Sequence, residues 1–337
     1  MTEKRADPGA LRLAKRLDGF PLALVTAGAF LRKTTMTFEQ YLDTYERKWN
    51  INPRRRLHLQ EYQDRTLYTT WNLSYDRLCK KDPNAAQMLR LMAYFDNQRV
   101  WYDLLTAGLT DDSPEWLQAT LEDQATFEGT MAVLVDYYFV EVQHITQSYS
   151  MHNCVHDWTL GELNATMSPE LYWYAFDCVA KSIENHDHDL FDHAKYSHIS
   201  QHARRLTHLR FEACNELSVG ITGREEQAMD IGQMLILRGQ LPAAEQLYLR
   251  ALARYEITVE PDHILTLHTV DSLGVLYALQ GKLEQAEQML SRALAGSESA
   301  LGPSHSSTLT AARNLFEIYR AQHRHTEAEA LRVRYSL

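Results

Sequence analysis

The sequence has little of what makes tight turns, cross-links or membrane spans. Of 337 residues only 14 are Gly and 9 are Pro. A chain of many short strands needs more turn residues than that, so long helices are expected. The four cysteines, Cys79, Cys154, Cys178 and Cys214, stand far apart with no C-x-x-C pair. Such spacing gives no disulfide framework and predicts reduced thiols in a reducing compartment. No apolar run reaches the ~18 residues of a bilayer crossing. The polar N-terminus, Met-Thr-Glu-Lys-Arg-Ala-Asp, is unlike a secretory signal. Positive charge is short as well: the net charge is −10, whereas a nucleic-acid surface needs concentrated Lys and Arg. Arg54, Arg55 and Arg56 make the basic cluster near the front, in a loop where solvation accounts for them. These absences predict a soluble, cytoplasmic protein with neither nucleic acid nor membrane among its partners.

What is present is ordinary globular material, 45% hydrophobic and 23% charged, in enough chain for two or three domains. Residues 8–49 read as three helices. Pro8 can open the first, which stops at Asp18-Gly19, and Pro21 opens the second, where its missing N–H costs nothing. That second helix, residues 22–31, is apolar nearly all round and is expected to be buried. Thr37-Phe-Glu-Gln40 reads as a capping box for the third, whose Phe38, Tyr41, Leu42, Tyr45 and Trp49 keep helical spacing. An irregular connector follows, with a turn at Asn52-Pro53. Helical spacing resumes at Leu67, Trp71 and Leu78, and Asp82-Pro83 and Ser113-Pro114 are start signals for further helices. A helix over residues 127–136 then leads into a β-rich run, 137–145, rich in aromatic and β-branched residues.

The stretch Tyr149-Ser-Met-His-Asn-Cys-Val-His-Asp-Trp158 lies between that run and a helical segment reaching residue 163. Thr146-Gln147-Ser148 is a polar turn, residues 149–152 can return as a second strand, and Asn153 is a suitable N-cap. A helix, a two-stranded wing and a following helix describe a winged-helix domain over residues 59–163. His152, His156 and Asp157 gather two imidazoles and a carboxylate where the wing meets the helix. A helix N-terminus there favours anions; the plain alternative is that these residues fill a strand–helix junction.

Ser168-Pro169 opens another helix, and the segment behind it is rich in histidine: His186, His188, His193, His198, His202 and His208. His198 and His202 have the i, i+4 spacing of metal ligands on a helix. With no Glu after His198 and no Cys nearby, surface histidines on a connector over residues 164–222 are expected, and no bound metal.

From Ala228 the sequence repeats with a period of 42 residues: Gly232 and Gly274, Gly239 and Gly281, Ala244, Ala286 and Ala328, Glu245, Glu287 and Glu329. Leu247, Met289 and Leu331 follow the same period, as do Arg250, Arg292 and Arg334, and Pro261-Asp-His263 recurs as Pro303-Ser-His305. Each unit reads as two helices joined by a turn at the glycine, with the alanines allowing close helix approach. Three units of self-similarity over residues 223–337 mark an α-solenoid, an interaction surface without chemistry of its own.

Leu17-Asp-Gly-Phe-Pro-Leu-Ala-Leu24 resembles the Gly-Leu-Pro-Leu-Ala motif of NB-ARC domains, the nucleotide switch of NLR-type (STAND) immune receptors. Tyr149-Ser-Met-His-Asn153 resembles their Met-His-Asp motif, with Asn153 in place of Asp. Thr70-Trp-Asn-Leu-Ser-Tyr-Asp-Arg-Leu78 and Leu91-Met-Ala-Tyr-Phe95 are similar to the winged-helix segment of fungal members. The 42-residue units resemble tetratricopeptide repeats of the kinesin-light-chain kind. The resemblance implies a mainly α protein: a helical bundle over residues 1–58, a winged-helix domain with one β-hairpin, then a tetratricopeptide solenoid. It puts Pro21 against an adenine, Leu22 in the pocket lining and His152 on the β-phosphate of ADP.

The chain departs from that family in one respect that bears on chemistry. It has no G-x-x-x-x-G-K-[ST] phosphate loop and no acidic strand after one; the glycines before Lys282 are misspaced and lie in a repeat. Without them the positioning and charge stabilisation for hydrolysis are missing. The expectation is therefore a non-enzymatic regulatory and interaction portion of such a switch. It would hold no cofactor by itself, and ADP or ATP only beside a phosphate-loop domain. A protein partner or ligand would bind on the repeats, and homo-oligomers are left to the full-length receptor. Two other readings stand beside it. A DNA-binding winged helix would need Lys or Arg in residues 127–136, which have none, and a His-cluster hydrolase would need a convergent carboxylate.

Overall fold

The computed structural model describes residues 7–17, 19, 21–51, 62–184, 193–209, 223–259 and 261–337. The side chains of 48–51, 62–66, 184 and 193–196 lie outside that description, as do the Arg54–Arg56 cluster, the Asn52-Pro53 turn, His186, His188 and Cys214. The described fold is mainly helical with one two-stranded sheet, and the chain divides into two compact units, Met1–Tyr172 and Trp173–Leu337.

The first unit opens with α1 (Pro8–Arg16), α2 (Pro21–Arg32) and α3 (Phe38–Ile51). Asp7 caps α1 by accepting from the Gly9 N–H at 2.7 Å. The capping box at α3 forms: the Thr37 N–H donates to Gln40 Oε1 at 3.0 Å, and the Gln40 N–H to Thr37 Oγ1 at 3.2 Å. Arg16 pairs with Glu46 and lies over the Tyr45 ring, fastening α1 to α3. The second helix is not buried all round. It hides one stripe, Ala23, Thr26, Ala27, Ala29 and Phe30, and leaves Pro21 and Val25 exposed. Alanines and threonine let α2 approach α4 (Tyr62–Lys81) closely along that stripe.

Helix α5 (Pro83–Met92) starts at Asp82, whose carboxylate accepts from the Ala85 N–H at 2.9 Å. Short α6 (Tyr102–Ala107) and α7 (Glu115–Thr120) follow, then α8 (Gln124–Asp136). Ser113 does not cap α7. Its hydroxyl instead accepts from the Thr110 N–H at 3.0 Å, closing a turn, and the helix starts one residue after Pro114. The β-rich run yields only β1 (Glu141–Gln143), because Tyr137 caps α8 and Tyr138 turns the chain with φ 59. β1 pairs antiparallel with β2 (Ser148–Ser150), and Tyr149 also bridges Val100 through two 2.8 Å backbone bonds. Next come α9 (Asn153–Trp158) and a π turn, Thr159–Leu163. Helix α10 (Pro169–Glu184) starts where the Ser168 N–H donates to the Tyr94 hydroxyl at 2.8 Å, and the Ser168 hydroxyl accepts from the Leu171 N–H.

In the second unit α11 (His193–His208) packs on α12 (Glu225–Leu237) and α13 (Leu241–Thr258). Two further pairs follow: α14 (Ile264–Leu279) with α15 (Leu283–Leu301), and α16 (Ser306–Ala321) with α17 (His325–Tyr335). Each helix packs on the next in sequence, the order a solenoid requires. The turn inside each pair uses one left-handed residue at the same place: Gly239 (φ 70), Gly281 (φ 75) and, in the third pair, His323 (φ 60). Glycine takes that conformation without strain, and histidine does so at a steric cost.

Candidate functional site

Three places in the chain bear on function, and each is built from different parts. The first is the junction of β2 and α9. His152, rather than Asn153, is the N-cap of α9: its Nδ1 accepts from the Cys154 N–H at 3.3 Å. The Asn153 side chain is drawn aside because its Oδ1 accepts from Asn97 Nδ2 at 2.6 Å, while Asn97 Nδ2 also donates to the Met151 backbone carbonyl at 2.9 Å. With Nδ1 as acceptor, the neutral ring of exposed His152 carries its proton on Nε2 and keeps a donor in hand.

His156 and Asp157 do not join it. His156 is 4% exposed and its Nε2 meets the Phe95 carbonyl at 2.9 Å, a partner that fixes the proton on that nitrogen. Its Nδ1 stands 3.9 Å from an exposed Asp157 carboxylate oxygen, too far for a hydrogen bond. Trp158 completes the junction as core. It stacks on Phe139 (5.6 Å, 10°), packs on Trp71 and Tyr75, and donates Nε1–H to Asn72 at 3.2 Å. Met151, Val155, His156 and Trp158 therefore tie α4, α5 and the hairpin together, while His152, Asn153, Cys154 and Asp157 are exposed. Pro21 lies exposed at the start of α2 and Leu22 is half-buried beside it.

A cavity of about 390 Å³ lies beside the hairpin, lined by Tyr102 of α6, Gln124, Phe127 and Glu128 of α8, and Val142, His144, Gln147, Ser148 and Tyr149 of the hairpin. A wider one of about 860 Å³ lies among α1, α2 and α3, with Gly28, Arg32 and Phe38 in its wall. Neither is lined by Pro21, Leu22 or His152. Among the described residues no group of three or more His, Cys, Asp or Glu could hold a metal ion. On α11, His198 Nδ1 lies 3.3 Å from Gln201 Oε1, and His202 is fully buried. No described helix is long and apolar enough to cross a membrane.

The third place is the repeat array, where the periodic residues make periodic bonds. Glu245 on α13 accepts from Gln280 Nε2 at 2.8 Å and pairs with Lys282 at 3.3 Å. One unit later Glu287 on α15 accepts from Gln322 Nε2 at 3.0 Å and from Arg324 at 2.7 and 2.8 Å. In the first two pairs the glutamate of the second helix thus grips the turn of the next pair, while Glu329 of the third pairs with Arg332 on its own helix. Sequence reading marked the glutamates but not their partners, although Gln280 and Gln322, and Lys282 and Arg324, repeat with the same period. The recurring histidines are caps: Nδ1 of His263 accepts from the Leu265 N–H at 3.3 Å, and Nδ1 of His305 from the Ser307 N–H at 3.2 Å. Ala244, Ala286 and Ala328 are buried, and Gly232 and Gly274 sit where a Cβ would lie 2.2 Å from Tyr248 and 2.6 Å from Leu290. Between the first helices of neighbouring pairs, Asn314 Nδ2 donates to both Asp271 oxygens at 3.2 and 3.0 Å. Burial nevertheless raises the Asp271 pKa, outweighing the lowering by Asn314.

Comparison with known proteins bears on this last region. No curated protein matches the chain. Among solved structures, it is similar to a Podosopora anserina kinesin light chain of nearly identical TPR-like repeats, at 15% identity and TM-score 0.39, over 54% of this chain and 82% of that one. It is also similar to BtubC (BKLC) from P. vanneervenii, at 16% identity and TM-score 0.39, over 78% of this chain and 90% of that one. The tetratricopeptide repeat family model matches residues 225–299 and, overlapping them, 271–331, so the part of the chain from α12 to α17 is a tetratricopeptide repeat array.

Proposed function

We propose that this chain is a regulatory and protein-interaction module, with a protein partner held on the tetratricopeptide array and the first unit acting as the controlling half of a nucleotide-governed switch. The observation that supports the first part is the repeated bonding of Glu245 and Glu287 to the next pair's turn. Bonds of that kind stack helix pairs in one register, and a stacked array offers an extended surface instead of a closed catalytic pocket. Exposed polar residues of the first helices, His268 and Arg313 among them, lie beside the Asp271–Asn314 contact and suit recognition of a polar or charged peptide segment.

The second part rests on the likeness of residues 17–24 and 149–153 to NB-ARC motifs, and in this reading the hairpin and its flanking helices form a winged-helix-like element. The Nε2–H left on exposed His152 is the donor a phosphate would need. In this reading Pro21 and Leu22 would meet the base, and a phosphate-loop domain on the same polypeptide would hold the phosphates. Alone, the chain has nothing to position them. ADP should bind it no better than millimolar, on the order of 4 kcal/mol, and no ATP should be hydrolysed.

The two parts separate experimentally. A partner recovered with the full chain should be lost from a His268→Glu, Arg313→Glu variant that keeps wild-type circular dichroism; retention would remove the array as the binding surface. Calorimetry with ADP on the chain, and on the same chain fused behind a phosphate-loop domain, tests the switch. Affinity should become micromolar and sensitive to His152→Ala only in the fusion. Micromolar binding to the chain alone that ignores His152→Ala would place the nucleotide elsewhere.

A further inference from the structure

The cavity beside the hairpin has a composition that none of the foregoing uses. Its wall carries three aromatic rings from three elements. Phe127 is the hub, with the Tyr102 ring at 5.5 Å and 43° on one side and the Tyr149 ring at 5.6 Å and 88° on the other. Rings so inclined do not stack into a flat slab; they bound a volume, here about 390 Å³, large enough for a small organic group. Phe127 is buried while both tyrosines are half-buried, so the rings are held by the fold and still reach the opening.

The charge around this aromatic corner has one sign. Glu128 is on the lining, and Gln124 donates Nε2–H to its Oε1 at 2.8 Å, which fixes the carboxylate in place. No Lys or Arg is among the described lining residues. The field is felt by the rings themselves: the Tyr149 hydroxyl is pushed up by burial and then by Glu128, and that of Tyr102 by burial and then by Asp123 and Asp103. Aromatic faces present negative quadrupole charge, and a carboxylate at the same opening adds to it. An anion would be repelled there. A bare ammonium is strongly hydrated and gives up water reluctantly, whereas a methylated ammonium carries its charge behind apolar methyls that pack on rings.

We propose that this cavity, formed by Tyr102, Phe127, Tyr149 and Glu128, is a binding site for a methylated ammonium group. Such a group is carried by a trimethylated lysine side chain and equally by a free choline-like cation. The rings take the methyls and Glu128 neutralises the charge. Tyr149 lies in the stretch likened to an NB-ARC motif, but Pro21, Leu22 and His152 are absent from the lining and none of the lining residues lies in the repeats, so the site requires neither a bound nucleotide nor the array.

The test uses the full chain and calorimetry with five probes: tetramethylammonium, choline, a trimethyllysine peptide, the unmethylated peptide, and 3,3-dimethylbutanol, the neutral carbon analogue of choline. Choline or tetramethylammonium should saturate one site with a Kd on the order of 0.1–1 mM, and the neutral analogue and the unmethylated peptide should bind at least about tenfold more weakly. Glu128→Gln, at an exposed helical position, should weaken the cations about three- to tenfold and leave the neutral analogue unchanged. Tyr149→Leu should weaken the cations as well, with folding checked by circular dichroism. If the trimethyllysine peptide binds more tightly than choline, the natural source is a modified protein; the reverse order points to a free cation. Equal binding of 3,3-dimethylbutanol and choline would overturn the proposal, as would no saturation at about 20 mM cation or a Glu128→Gln variant that binds like wild type.

Discussion

In the repeat array Glu245 grips Gln280 and Lys282, and Glu287 grips Gln322 and Arg324 in the same manner. Among the described residues of the first unit no such repetition exists. Trp158 meets Asn72, His156 meets Phe95 and Asn164 meets Arg90, each contact made once and each across a long stretch of chain. The repeat unit is assembled from one interface used again at a fixed separation. The first unit is knotted around a single aromatic centre, Trp71, Trp158 and Phe139, whose members come from α4, α9 and the chain between α8 and β1. Damage should therefore spread differently in the two: a repeat interface can fail locally, whereas the aromatic centre has no substitute.

The sharpest way to break that contrast is Trp158→Ala. The side chain is fully buried among rings, and its loss should cost about 3–5 kcal/mol, seen as a large drop in the denaturant midpoint of the first unit. A loss below about 1 kcal/mol would mean that the aromatic centre is not what holds α9.

Gly274→Ala should act next most strongly and with a sign opposite to helix propensity. Alanine in mid-helix gains about 1 kcal/mol over glycine, but the new Cβ would stand 2.6 Å from Leu290 Cγ and 3.3 Å from its backbone nitrogen. Overpacking of about 1–3 kcal/mol should win, lowering the melting temperature of the array. A rise instead would show that α14 and α15 can separate freely.

Asn314→Ala leaves Asp271 half-buried without that donor, and about 1–2 kcal/mol should be lost at neutral pH. Burial already holds the Asp271 pKa above its ordinary value. Its contribution to stability is therefore fully present below the unfolded-state pKa and is lost as pH rises through the folded one. Removing Asn314 should raise the folded pKa further and widen that window upward. Unfolding of wild type and variant across acidic to neutral pH checks the sign.

The smallest effects should come from the caps. His305→Ala and His263→Ala should each cost about 0.5–1 kcal/mol, and His305→Asp should restore the loss, since a carboxylate also accepts from a helix N-terminus. Hydrogen exchange at the first turns of α14 and α16 resolves changes of this size.

The array was legible because its contacts recur with the sequence period. Gly239, Gly281, Ala244, Ala286 and the glutamates announced both the helix pairs and their turns, and Thr37-Phe-Glu-Gln40 announced its own capping box. Asn153 as an N-cap was a sound local choice by composition. Asn97, distant in sequence, takes its side chain, and the neighbouring imidazole then caps α9. The corner of Tyr102, Phe127, Tyr149 and Glu128 left no mark in the sequence, because a helix, a second helix and a strand each supply part of it.

By itself, then, the sequence determined what depends on neighbours within one turn or one repeat: helix periodicity, most helix starts, and the stacking of like units. The tertiary structure alone decided the rest. It turned His156 into the core, left His152 exposed as a cap, cut the β-rich run to three residues at Tyr138, and brought three rings and a carboxylate around one cavity. The physical reason is that such outcomes depend on which distant backbone groups need partners and which volumes need filling, and neither is written in local spacing.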